Sequence, residues 1–219
     1  MSDILYLPVS IGEAMDKLSI LEIKLELIND ENRKNEVKKE YDLLYEKLHH
    51  VIINYSEFYR VLKHINKEIW FIMDLIRDKK NENMEEYNYL CNESIILNDA
   101  RFRAKNKINT ISNSSLKEQK GYNVLRCLFD LKYNSIDLCK IIKLIKYYSY
   151  FYDEIIVINY TEKDISFLKN EFKYDNSIIF KNDFDLSICK KIINISDYNN
   201  FEKLLEELDI KKEKFTLYI

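Results

Sequence analysis

With 219 residues, of which 47% are hydrophobic and 32% charged, the chain carries enough apolar surface for one large core or two small ones, which excludes a disordered chain. Apolar runs such as Ile155-Ile156-Val157-Ile158 fall far short of the roughly 18 residues of a bilayer span, and Met1-Ser2-Asp3 lacks the basic start of a signal peptide, so a cytoplasmic protein without a membrane span is expected. The net charge of −3 hides a division into −7 over residues 1–99, +8 over 100–146 and −4 over 147–219.

Only Gly12, Gly121 and Pro8 break the chain, so the long stretch between the glycines points to helices. Ser10-Ile11-Gly12-Glu13 reads as a capping box, in which the serine hydroxyl takes the Glu13 amide and the glutamate reaches back. Beyond it Ile11, Ala14, Leu18, Leu21, Leu25 and Ile28 form a heptad seam. Glu13 and Lys17 stand at i,i+4 on this helix, with Asp16 between them. Asn29-Asp30-Glu31-Asn32 reads as a turn. A second seam runs Val37, Tyr41, Leu44, Leu48, Val51, Tyr55, Phe58, Leu62, Ile65, Ile69, Ile72 and Ile76. One helix of that length is unusual, and Asn54-Tyr55-Ser56-Glu57 suits a break. Asp74 and Arg77 lie near its end.

A last long helix spans about 84–111, with Tyr87, Cys91, Ile95, Phe102, Ile108 and Ile111 as its apolar residues. Four helices joined by short turns in up-down order follow. In the fourth, Asn98, Arg101, Lys105 and Asn109 step along one face, and Asn98-Asp99 in mid-helix runs against propensity. That face is either solvated with interhelical salt bridges or lines a polar pocket in which Arg101 and Lys105 hold an anion. Asp99 and Arg101 are expected to be partly buried and bonded to other helices, with Phe102 and Ile95 facing the core.

Ser10-Ile11-Gly12-Glu13, Asp16-Lys17 and Ile20-Leu21-Glu22-Ile23-Lys24 occur in order with Ile69-Trp70, Asp74, Arg77, Asn98-Asp99-x-Arg101-x-x-x-Lys105 and Lys117-Glu118-Gln119-Lys120. In these motifs residues 7–122 resemble a family of uncharacterised bacterial and phage proteins. The resemblance implies a discrete domain and marks those polar residues as characteristic, without implying a chemistry.

Residues 113–122 read as a linker, which places a helical bundle at 1–112 and a second domain at 123–219. There the period changes. Val124–Phe129, Glu154–Ile158, Ser177–Phe180, Ile192–Ile195 and Phe215–Ile219 read as strands. Ser135–Ser149, a segment from Thr161 and Tyr198–Leu208 read as helices. Alternation of this kind implies a parallel sheet. The expected fold is therefore α+β in two parts: an antiparallel helical bundle, then a small α/β Rossmann-like parallel sheet.

Tyr133-Asn134-Ser135-Ile136-Asp137, Tyr152-Asp153-Glu154-Ile155-Ile156-Val157 and Tyr174-Asp175-Asn176-Ser177-Ile178 resemble the first Rossmann-like half of two-lobed glycosyltransferases. Those enzymes usually carry a Gly-Asp turn after the first strand. Asp137 matches the aspartate and would be the base, while Ile136 stands where the glycine should be. Their second lobe, which binds the nucleotide sugar, has no counterpart in this sequence.

Cys91, Cys127, Cys139 and Cys189 form no C-x-x-C pair and read as reduced, buried thiols. His50 and His64 stand about 21 Å apart along a helix, so no metal site is expected. The aromatic run Tyr147, Tyr148, Tyr150, Phe151 and Tyr152 reads as cover for the sheet and for an interface with the bundle rather than as a sugar platform.

Function stays open at this level. The leading expectation is a non-catalytic accessory protein that self-associates or docks to a protein partner, near surface-glycan synthesis, with no cofactor. The alternative is a transferase whose site a partner completes, with Asp137 as base and a nucleotide sugar bound. Nucleic-acid binding through the +8 belt is disfavoured, because its cations are spread over different elements. If an anion binds, Arg101, Lys105 and Lys120 are the expected cations, with Asn134 and Ser135 presenting amides at a helix start.

Overall fold

The structure, a computed structural model, describes residues 4–79, 83–121, 123–132, 137–158, 165–182, 184–195, 199 and 201–206. They form two compact units, 1–120 and 121–219.

The first unit consists of α1 (Ile11–Leu27), α2 (Glu31–Asn54), α3 (Ser56–Lys79) and α4 (Met84–Ile111). Ser10 caps α1 as expected, its Oγ accepting from the Glu13 amide at 3.1 Å. Asp30 caps α2 and Asn83 caps α4 in the same manner. α1 packs against all three other helices, so its burial reaches beyond the Leu18–Leu21 seam to Met15 and Ile23 and to the small or polar Gly12, Asp16 and Ser19. Each of those apolar side chains contributes roughly 1.5–3 kcal/mol.

The second seam is interrupted at Tyr55, where the sequence suggested a break, but the chain does not reverse there. Tyr55 N–H donates to Val51 and its carbonyl accepts from the Tyr59 amide, so helical bonding continues on both sides of a single distorted residue. α2 and α3 therefore meet end to end with little lateral packing. The simple up-down order of four helices is replaced by two hairpins, α1–α2 and α3–α4, that share one jointed rod. In α4 the apolar line is Leu90, Leu97, Ala100, Ala104 and Ile108, while Ile95, expected in the core, is 61% exposed. Leu97 and Ala104 lie seven apart and Ala100 and Ala104 four apart, which puts them on one buried face while Ile95 falls on another.

Residues 113–120, read as a linker, are tied to the bundle. Ile11 N–H donates to Ser114 Oγ, Lys105 pairs with Glu118, and Lys120 pairs with Asp99.

The second unit carries β1 (Arg126–Asp130), α5 (Leu138–Tyr148), β2 (Glu154–Ile158), α6 (Ser166–Glu171), β3 (Ile178–Phe180), a 3₁₀ turn at Leu186–Ile188 and β4 (Lys191–Asn194). The strands are all parallel in the order β3-β2-β1-β4. Leu128 and Ile156 are buried at the sheet centre, and Arg126 donates to its cross-strand neighbour Glu154 at 2.7 Å. Tyr147 and Tyr150 are buried, and Tyr148 meets Phe129 edge-on at 5.7 Å, so this end of the aromatic run does cover the sheet. Residues 201–206 are helical, and the expected last strand at 215–219 lies outside the described residues. All four cysteines are free thiols. Only Cys127 is buried, which pushes its thiol up to about 12, whereas Cys139 is exposed.

Candidate functional site

The polar residues of the bundle converge where α1, α3 and α4 meet. Gly12 makes the meeting possible: a Cβ there would stand 2.4 Å from the Lys105 carbonyl oxygen. At that distance Gly12 N–H donates to the fully buried Asn109 Oδ1 at 2.7 Å. The face formed by Asn98, Arg101, Lys105 and Asn109 is thus turned inward at its C-terminal end rather than solvated.

Lys105 is an ion-pair hub. Its Nζ lies 2.6 Å from Glu118 and 3.3 Å from Glu13, with its side chain only 8% exposed. Burial alone would pull this ammonium's pKa down. The Glu118 hydrogen bond and the fields of Asp16, Glu118 and Glu13 outweigh it and raise the pKa. Glu13 therefore serves Lys105 instead of completing a pair with Lys17, which reaches Glu40 on α2. Lys120 is held by Asp99 at 2.6 Å and lies over the Phe102 ring. Of the three cations expected to bind an anion, two are neutralised by carboxylates of their own unit.

One turn further along α1, the buried Asp16 carboxylate accepts from Asn66 Nδ2 at 2.7 Å. Burial raises its pKa, against the Asn66 hydrogen bond and the nearby positive charges of Arg101 and Lys105. The same Nδ2 donates to Ser19 Oγ, whose own proton goes to the Asp16 carbonyl. These bonds fix the orientation of the Asn66 amide. Its Oδ1, with the residue 4% exposed, has no hydrogen-bond partner among the described residues, an omission that costs about 1–3 kcal/mol.

Asn66 lines a cleft of about 220 Å³ between α1, α3 and α4. Ile20 and Ile23 of α1 and Ile69, Trp70 and Met73 of α3 form its apolar wall. Asp74 and Arg77, bonded to each other at 2.8 Å, and Arg101 of α4 supply the charge. Arg101 donates to Asn98 on its own helix at 2.7 Å rather than to another helix, contrary to the expectation for it. Asp74, Arg77 and Arg101, distant in sequence, thus share one site with Ile20, Ile23, Ile69 and Trp70, all members of the motifs quoted above. Asn66 was missed. Its signal was an asparagine midway between Leu62 and Trp70, at four-residue spacing on a helix with both neighbours facing inward.

In the second unit Asp137 is the N-cap of α5, accepting from the amides of Cys139 and Lys140 at 2.9 and 3.3 Å. The proposed base thus has a structural task. Asn134, Ser135 and Ile136 lie outside the described residues. Asp130, which sequence reasoning passed over, ends β1 beside β4, where the strand order reverses, and is 5% exposed with Lys132 at 2.8 Å. The basic belt at 100–146 is widely countered: besides Lys105, Lys120 and Lys132, Arg126 meets Glu154, Lys140 meets Glu202, and Lys146 meets Glu171. No group of His, Cys, Asp and Glu capable of holding a metal occurs among the described residues. None of the described helices is long and apolar enough to cross a membrane.

These features define a two-unit protein, a helical bundle with a small amphipathic cleft followed by a four-stranded parallel α/β unit. A family model matches residues 5–140, and the chain belongs to that family, a family of unknown function (DUF6165). The match runs through the whole bundle and into the start of α5. No curated protein and no solved structure matches the chain.

Proposed function

We propose that the protein is a non-catalytic accessory protein that acts by association through its helical unit, in the setting of surface-glycan synthesis. The observation that carries the association is the apolar surface left on the α3–α4 hairpin. Phe71 and Leu75 on α3 are 44% and 45% exposed, and Met84, Tyr89 and Ile96 on α4 range from 45% to 64%. Phe71 and Leu75 stand at i,i+4 and so share a face that the unit's own core does not use. The non-catalytic part is supported by how the candidate base and two of the candidate anion-binding cations are spent, Asp137 on a helix cap and Lys105 and Lys120 on internal ion pairs. The setting rests on the likeness of the second unit to a glycosyltransferase half, with which an all-parallel β3-β2-β1-β4 sheet is compatible.

Sedimentation at tens of micromolar tests the association. A species of at least twice 26.5 kDa is expected, returning to monomer in Phe71→Glu with Ile96→Glu. A parent that sediments as a monomer refutes self-association. The setting predicts that the gene lies among sugar-nucleotide and polymer-assembly genes, and an unrelated neighbourhood would count against it.

A further inference from the structure

The cleft between α1, α3 and α4 has a volume of about 220 Å³. At ~30 Å³ for a water molecule it has the room of about seven waters, enough for an organic molecule of roughly eight to ten heavy atoms. Its polar points are few and specific. Asn66 is held by donation from Nδ2 to Asp16 and Ser19, and its buried Oδ1 is an acceptor without a donor among the described residues. Arg101 spends one hydrogen bond on Asn98 of its own helix and has no carboxylate at ion-pair distance among the described residues. Arg77 is already matched by Asp74, which leaves Arg101 as the one positive charge of the lining without a bonded carboxylate, its field reaching the buried Asp16.

A single planar guanidinium suits a carboxylate, which it grips with two parallel N–H donors. A dianionic phosphate would need a second unmatched cation, and the lining has none. Most of the remaining wall is aliphatic, with Ile20, Ile69 and Met73 beside Trp70, which favours a branched hydrocarbon body over a sugar.

We propose that this cleft is a binding site for a small monocarboxylate that bears a hydroxyl or amino donor and a branched aliphatic body. The carboxylate binds Arg101, the donor satisfies Asn66 Oδ1, and the body lies against Ile20, Ile69 and Trp70. The site belongs wholly to the helical unit and requires neither self-association nor a partner.

Trp70 is the only tryptophan in the chain and lines the cleft, so its fluorescence reports occupancy directly. The full chain is titrated with L-2-hydroxyisocaproate and with L-leucine, which separate the hydroxyl from the amino form, and calorimetry checks the fluorescence. Saturable binding of one or both at millimolar concentration or below is expected. Isocaproate, which lacks the donor, should bind at least fivefold more weakly, and isoamyl alcohol, which lacks the carboxylate, should not saturate. Arg101→Gln should weaken binding at least tenfold while the protein stays folded by circular dichroism, and Arg101→Lys should fall between. No saturation by either compound at 10 mM, equal affinity for isocaproate, or parent-like binding by Arg101→Gln would each overturn the assignment.

Discussion

Replacing Gly12 by alanine tests the packing that brings α1 onto α4. The added Cβ would sit 2.4 Å from the Lys105 carbonyl oxygen and 2.9 Å from Asn109 Oδ1. The first of these atoms belongs to the backbone of a helix and cannot swing aside, so α1 must move away. Overpacking of this kind costs about 1–3 kcal/mol. The shift also stretches the buried Gly12–Asn109 hydrogen bond and strands an Asn109 side chain that is 0% exposed, which costs a further ~1–3 kcal/mol. Against these stands the better helix propensity of alanine, worth about 1 kcal/mol. The net expectation is a loss of about 2–4 kcal/mol. Urea unfolding followed by Trp70 fluorescence isolates the helical unit, because the other unit contains no tryptophan. Gly121→Ala is the control, since nothing lies within 4 Å of a Cβ there. A Gly12→Ala protein as stable as the parent, or more stable, would refute the close approach and leave helix propensity as the governing effect.

Lys105→Met removes the charge that Glu118, Glu13 and Asp16 share while keeping the length of the side chain. The bundle should lose about 2–3 kcal/mol by the same assay, less than for a fully buried pair because Glu13 and Glu118 reach solvent. Asp137→Ala should cost the α/β unit about 1 kcal/mol through the lost cap of α5, read by circular dichroism of thermal unfolding; an unchanged curve would argue against the cap. Burial, with Lys67 nearby, lowers the pKa of His64 below its ordinary 6.5. Above that value both folded and unfolded forms are neutral there. As pH falls through 6.5 only the unfolded chain takes up the proton, so the His64 contribution to stability declines toward its folded pKa. His64→Gln should flatten that part of the pH profile, measured as urea midpoints between pH 7.5 and 5, and an unaltered slope would assign it to other groups.

The caps and seams were legible because they rest on local rules. Ser10 at the start of α1, the interruption near Tyr55 and the β-branched run Glu154–Ile158 each depend on residues adjacent in sequence. The partners of charged groups were not legible. Lys17 has Glu13 at helical spacing, yet the structure turns it to Glu40 and gives Glu13 to Lys105, because the approach at Gly12 brings α4 within reach. The cleft was half legible. Asp74, Arg77 and Arg101 were singled out as polar residues on their helices, but that they share a wall depends on how α1, α3 and α4 cross. Asn66 escaped notice because an unfilled acceptor exists only once its neighbours are placed. The end of the bundle was misjudged for a related reason: Ser114, Glu118 and Lys120 look like linker composition, and their bonds go to residues 13 to 103 positions away.

The hydrogen bond from Ile11 N–H to Ser114 Oγ, 3.2 Å long, has a consequence for how the helical unit can be used. Its first helix starts where its last segment returns, so the two ends of this unit are neighbours in space although about a hundred residues apart in sequence. Such a unit can be circularly permuted. A short bridge from the residues after Ser114 to those before Ser10, with new ends opened in the exposed turn at Asn29 and Asp30, would preserve every helix and the cleft between them. By the same geometry the whole bundle is a cassette that fits into a surface loop of another protein without forcing that loop apart.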